Sequence, residues 1–229
     1  MNCKYFYLTL FYLNNRKPKT QKHISQVYSI LSGGFVLSIV AGYIASYGLI
    51  PIMLVYTLMI ANIIAEITLI FIRHSKFAQN YLSPISFYTG ASTVGALMGC
   101  ACSMMSASEM REMKPILVGA MVYTATIFGT MTLFSFLTLN RTKILLGSLI
   151  TSLVLSIFSL FLYRDSGLSI AIGILVGSLY IICDTQIMIY KAENGTFEPY
   201  HDARQIFYDC VKIFIEITKL LSKDKKKDK

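Results

Sequence analysis

Nearly uncharged apolar runs of about twenty residues recur along this chain, and each is long enough to cross a bilayer core of about 30 Å. They are Val27–Ile50, Pro51 to about Arg73, Ser83–Ser108, Pro115–Leu139, Ile144–Tyr163 and Ser166–Tyr190. In hydrocarbon a backbone finds no water to bond, so runs of this kind close their hydrogen bonds internally as helices. Of the 229 residues, 55% are apolar and 14% are charged, against about a quarter charged in a soluble domain. The fold class expected is all-α: a polytopic membrane helix bundle of six spanning helices plus a seventh, amphipathic C-terminal helix.

The net charge of +9 does not point to nucleic acid, because the basic residues gather at the two ends and in short loops, where they orient spans. The partner implied is the lipid bilayer. Cys3, Cys100, Cys102, Cys183 and Cys210 are scattered, and Cys100-Ala-Cys102 is too close for ordinary zinc spacing, so buried free thiols are expected.

Residues 1–23 are expected to form a cytoplasmic or interfacial segment. Tyr5–Leu13 is too short to span and lacks a small-residue cleavage site; an interfacial stretch and a disordered start both fit. Residues 24–222 form the membrane domain, and residues 223–229 a disordered polybasic tail. Within the domain, Gly95-x-x-x-Gly99 and Gly173-x-x-x-Gly177 permit close helix approach. Glu109, Arg111, Glu112 and Lys114 read as a charged loop before the fourth span.

The last helix differs from the others. Gln205, Asp209, Lys212, Glu216 and Lys219 recur by four and three, with Ile206, Ile213, Phe214, Ile217, Leu220 and Leu221 opposite. Such a helix either lies flat at the membrane surface or stands in the bundle with its stripe facing a polar cavity. Five basic residues precede the first span and five follow Ser222, so both ends favour the cytoplasm and an even number of crossings. Seven full spans would violate that rule.

Ionisable groups inside apolar runs are the functional candidates, since each is costly in hydrocarbon unless paired or wetted. Asp184 lies near the end of the sixth run, and Asp209 follows in QIFYDCVKIF. Glu66 lies in the second run, on one face with Asn62 and Arg73. It is either a bundle-facing group bonded to a neighbouring span or part of an ion path. Lys212, three residues after Asp209, is placed to pair with it locally.

The chain resembles the transmembrane Bax-inhibitor-motif family. The resemblance is carried by HISQVYSIL from His23, YTATIFGTMTLFSFL in the fourth run, NRTKILLGS at the fifth, CDTQIMIYKAENG from Cys183, and the KDKKKDK end. It implies six membrane helices around or beside a seventh, pH-sensitive calcium leak across the endoplasmic reticulum or plasma membrane, and suppression of cell death. It also implies a proton-sensing aspartate pair on the last two helices, matched here by Asp184 and Asp209. Two carboxylates in reach of each other in a poorly solvated place share a proton, so the implied pair would be a latch that opens as pH rises and then attracts Ca²⁺, which prefers oxygen ligands, at a weak transit site. The family's acidic residue on the second helix corresponds to Glu66, and its downstream basic residue to Arg73 or Lys76. Lys212 and Glu216 depart from the family's pattern and are candidates for an additional latch or pathway.

The function expected is thus a pH-sensitive calcium leak channel of an intracellular membrane, with Ca²⁺ as cargo and no cofactor. The alternative is a non-conducting adaptor that binds apoptosis-regulating membrane proteins through its polybasic tail and amphipathic helix, a surface that also suits anionic lipids. The residues show no nucleophile–base pair and no phosphate-binding glycine loop, so an enzyme is not expected. Lys226-Lys227-Asp228-Lys229 resembles a di-lysine retrieval signal, which makes the endoplasmic reticulum membrane the expected location.

Overall fold

Each apolar run that can be followed in the structure, a computed structural model, is a helix. The structure describes residues 18–72, 75, 77–137, 150, 151, 154 and 167–227. Among these, the helices are α1 (Pro18–Ser46), α2 (Ile52–Ile72), α3 (Ser83–Ser103), α4 (Ala107–Leu137), α5 (Gly167–Glu193) and α6 (Pro199–Lys227), with a π-helical turn at Ala78–Leu82 before α3. No strand occurs among the described residues. α1 to α5 are long and apolar enough to cross a membrane, and α6 is not among them. The chain is a multi-pass membrane protein. The expected fifth span, Ile144–Tyr163, lies almost wholly outside the described residues.

Three boundaries differ from expectation. α1 begins at Pro18, inside the stretch assigned to an N-terminal segment. Proline suits a first helical turn. Thr20, His23, Ile24, Val27 and Leu31 are all buried, so the packing face starts before the apolar run does. Lys19 and Lys22 lie on the exposed side of those turns.

α4 begins at Ala107, and its first turns contain Glu109, Arg111, Glu112 and Lys114, which are therefore helical and not a loop. A capping box starts it. The Ser106 N–H and hydroxyl each donate to Glu109 Oε2 at 2.8 Å, and the Glu109 N–H donates back to Ser106 Oγ at 3.3 Å. Two amide donors that a helix start would leave unpaired are thus satisfied. Pro115 is carried inside the helix. Finally, α6 continues through Lys227, so most of the segment expected to be a disordered tail is helical.

The described residues fall into two compact units. One holds the start of α1, α4 from Glu112 onward, α5, and α6 from Tyr208; the other holds the rest of α1, α2, α3 and Glu198–Phe207.

In the second unit α1 and α3 approach closely. A Cβ at Gly95 would collide with the Ser38 carbonyl, and one at Gly99 with the Gly42 carbonyl. This is the close approach expected of that motif. Ala45, Val55, Ala96 and Cys100 form a small core beside it. Val36, Ile39 and Tyr43 on α1 and Met53, Ile60, Ile64 and Phe71 on α2 are exposed, as surfaces in contact with lipid should be.

In the first unit α5 is the inner helix. Half of its apolar window is buried, against 17% for α4. Cys100, Cys183 and Cys210 are buried free thiols, and Cys102 is half-buried.

Candidate functional site

α6 runs antiparallel along α5, and four contacts fix the register. The Asp209 carboxyl hydrogen-bonds the Asp184 carboxyl. One turn on, the Lys212 ammonium lies 5.3 Å from the centroid of the Tyr180 ring. Ile213 fills the notch over Gly177, and Glu216 lies over Gly173, where a Cβ would sit 3.2 Å from its Cγ. The second small-residue motif therefore lets α6, with its bulky polar stripe, approach α5. α6 also meets α4, through Leu221 against Gly119 and the Ser222 hydroxyl 4.0 Å from Met113 Sδ.

The turn of α5 that carries Asp184 is mostly buried, with Asp184 itself half-buried. Consecutive helix residues are about 100° apart, so Asp184, Thr185 and Gln186 point in three directions. Asp184 faces α6, while Gln186 donates from Nε2 to the Ser135 carbonyl of α4. The Ser135 hydroxyl donates back to the Ile182 carbonyl at 3.4 Å. Thr185 and Gln186 are fully buried. Thr185 Oγ1, Gln186 Oε1 and Asp209 Oδ2 are buried without a hydrogen-bond partner among the described residues. Unmatched buried oxygens of this kind suit water or a hard cation. No cluster of three or more His, Cys, Asp or Glu side chains able to hold a metal occurs among the described residues.

Lys212 acts on Asp209 electrostatically, as its local spacing suggested, while its ammonium lies over the Tyr180 ring. Glu216 pairs with Lys219, whose Nζ is 2.9 Å from Oε1.

Glu66 belongs to the other unit and to a separate polar cluster. Arg204 Nη1 donates to Glu66 Oε2 at 2.7 Å, and the Ser86 hydroxyl donates to Oε1 at 2.8 Å. Asn62, one turn earlier on α2, donates to the Ser86 carbonyl at 2.7 Å and to Thr89 Oγ1 at 2.9 Å. Arg204 Nη2 reaches the Ser83 carbonyl at 3.4 Å. The neighbouring-span account of Glu66 thus describes its contacts. Arg73 and Lys76 lie outside the described residues.

Sequence reasoning missed Arg204 and Ser135. For Arg204 a signal existed: it falls on the buried side of α6, between Ala203 and Phe207. An arginine there needs an acid from elsewhere, and Glu66 is an acid within an apolar helix. Ser135 had no such signal, because a serine in an apolar helix can bond its own backbone.

These positions lie inside a family match. The family described as "Inhibitor of apoptosis-promoting Bax1" matches residues 20–226. Among curated proteins, a Bax inhibitor 1 homolog of Dictyostelium discoideum is 30% identical over 224 residues, covering 94% of this chain and 86% of that protein. Human Bax inhibitor 1 is 27% identical over 236 residues, covering 93% of this chain and 91% of its own. With the family match running through α1 to α6 and both aspartates within it, the chain belongs to the Bax inhibitor family.

Proposed function

We propose that the chain is a pH-sensitive calcium leak channel of an intracellular membrane, gated by Asp184 and Asp209. The observation that carries this reading is the hydrogen bond between the two carboxyls. Such a bond requires a proton on one of them. While the proton stays, it holds α6 to α5. When it leaves, two anions face each other in a poorly solvated place, and repulsion favours separation and entry of water or a cation. The carboxylate oxygens of Asp184 and Asp209, among them the buried Asp209 Oδ2, offer hard ligands to Ca²⁺. Their small number suits transit and not storage.

Six spanning helices with α6 as a seventh, amphipathic helix packed along α5 is the arrangement we favour. Contacts of α4 with both α5 and α6 support it. Ser135 lies beside residues 182–186 while Gly119 lies beside Leu221, so α4 runs parallel to α5. Two parallel membrane helices need a return crossing between them. Names of relatives such as "Bax inhibitor 1" support a role in restraining cell death.

The test is purified protein in liposomes, with a calcium indicator inside and calcium outside. Leak that rises with pH in the wild-type chain, and loses that dependence in Asp184→Asn, supports the channel. Silence from acid to alkaline pH would overturn it and favour a non-conducting adaptor.

A further inference from the structure

The last turns of α6 carry an ordered row of lysines, and the packing of three helices fixes their depth. Ile213 and Glu216 of α6 lie over Gly177 and Gly173 of α5, so the antiparallel register brings Ser222 level with the start of α5 at Gly167. The Ser222 hydroxyl is 4.0 Å from Met113 Sδ of α4. α4 carries charge up to Lys114 and none from Pro115 to Leu137. Near Ser222, therefore, all three helices pass from apolar to charged sequence at one level. α6 runs on as a helix to Lys227. At 1.5 Å per residue, its stretch from Lys223 to Lys227 rises about 7 Å. That is the depth of one headgroup layer, since headgroups widen a core of about 30 Å to about 40–45 Å.

The helix also sorts the charges by side. At about 100° per residue, Lys219, Lys223 and Lys226 share one side of α6, with Lys227 at its edge. Lys225, one turn beyond Leu221, falls instead on the side that meets α4 at Gly119. The acid on the lysine side, Glu216, is 2.9 Å from Lys219 Nζ, and the Lys219 side chain is 54% exposed. Beyond it Asp224 is turned about 100° from Lys223, so the row past Ser222 is purely basic. Cations at headgroup level complement the phosphates of anionic phospholipids. A helix that already aligns them loses less freedom on binding than an unordered tail would.

We propose that Lys223, Lys226 and Lys227, with Lys219 beneath them, form a docking face for anionic phospholipid headgroups. Lys219 lies one turn deeper and reaches the headgroups by its flexible stem. The face is separate from the carboxyl pair and holds whether or not the chain conducts calcium.

The experiment titrates the full chain, in uncharged detergent micelles, with phosphatidylserine, with phosphatidylcholine or with inorganic phosphate, and reads the rise in melting temperature. Phosphatidylserine should raise it saturably, and the other two should not. Lys226→Gln should raise the half-saturating phosphatidylserine concentration by about fivefold, the worth of one lysine at an anionic surface. Lys226→Arg should keep the wild-type value, and Lys225→Gln, on the α4 side, should stay close to it. The half-saturating concentration is the readout, so a change in lipid-free stability alone does not move it. No response to phosphatidylserine, or an equal one to phosphatidylcholine, overturns the inference. A response to phosphate alone overturns it in favour of a free-anion site. A loss in Lys225→Gln as large as in Lys226→Gln overturns it in favour of an unordered basic tail.

Discussion

The guanidinium of Arg204, on the first turns of α6, donates to the Glu66 carboxylate of α2 at 2.7 Å, with side-chain exposures of 10% and 27%. Neither charge is at ease without the other. Arg204→Met would leave Glu66 with only the Ser86 hydroxyl, and should cost about 2–3 kcal/mol, the range for breaking a partly buried, hydrogen-bonded ion pair. Glu66→Gln combined with Arg204→Met removes both charges and should cost less than Arg204→Met alone. Melting of the three variants in detergent checks this. Strictly additive losses would mean that the two side chains are not coupled.

The two small-residue motifs differ in how much they tolerate. At Gly95 an added methyl meets backbone, the Ser38 carbonyl, which cannot move without moving α1. At Gly173 it meets the flexible chain of Glu216 at 3.2 Å. Gly95→Ala should therefore cost about 1–3 kcal/mol, the usual penalty for overpacking, and Gly173→Ala well under half as much. Size-exclusion profiles and melting temperatures of the two variants give the ranking. Equal losses would argue against close backbone packing of α1 on α3.

Ser106→Ala removes the side chain that caps α4, and should cost about 1 kcal/mol. Glu109→Ala removes the reciprocal acceptor and should cost less, because the Ser106 hydroxyl still receives the Glu109 backbone N–H. Hydrogen exchange at the first turn of α4 is the direct measurement. Protection unchanged in Ser106→Ala would mean that the helix is started by packing and not by its cap.

That cap also marks where the sequence was misread. Membrane helices declare themselves through missing charge, so α2, α3 and α5 fall close to their apolar runs. A helix that extends past the apolar run into charged residues does not declare itself in that way. Glu109 to Lys114 read as a loop although Ser106-x-x-Glu109 is a helix-start signal. The start of α1 was hidden similarly, since its buried face there is Thr20 and His23. The residues alone marked Asp184 and Asp209 as acids in or beside apolar stretches, and it was the family resemblance that paired them. Spacing placed Lys212 beside Asp209, where it acts electrostatically, but spacing alone could not show its contact with Tyr180 on another helix.

The shared proton makes opposite predictions for two substitutions at Asp209. An asparagine there has an amide that donates to the Asp184 carboxylate at any pH, so Asp209→Asn should keep α6 held to α5. Leak through liposomes should then stay low and flat with pH. Asp209→Ala has neither donor nor acceptor. It should leave Asp184 alone and the helices unlatched, giving leak that is already raised at acid pH, where the wild-type chain is quiet, and that changes little as pH rises. The sign follows from the proton: in the wild-type chain it is present at low pH, joins the carboxyls and closes the path, and its loss at higher pH opens it. Flux traces over a pH series, normalised to protein incorporated, distinguish the three chains. If asparagine and alanine leave the same leak, or if both retain the wild-type pH profile, hydrogen bonding between Asp184 and Asp209 is not what gates the path.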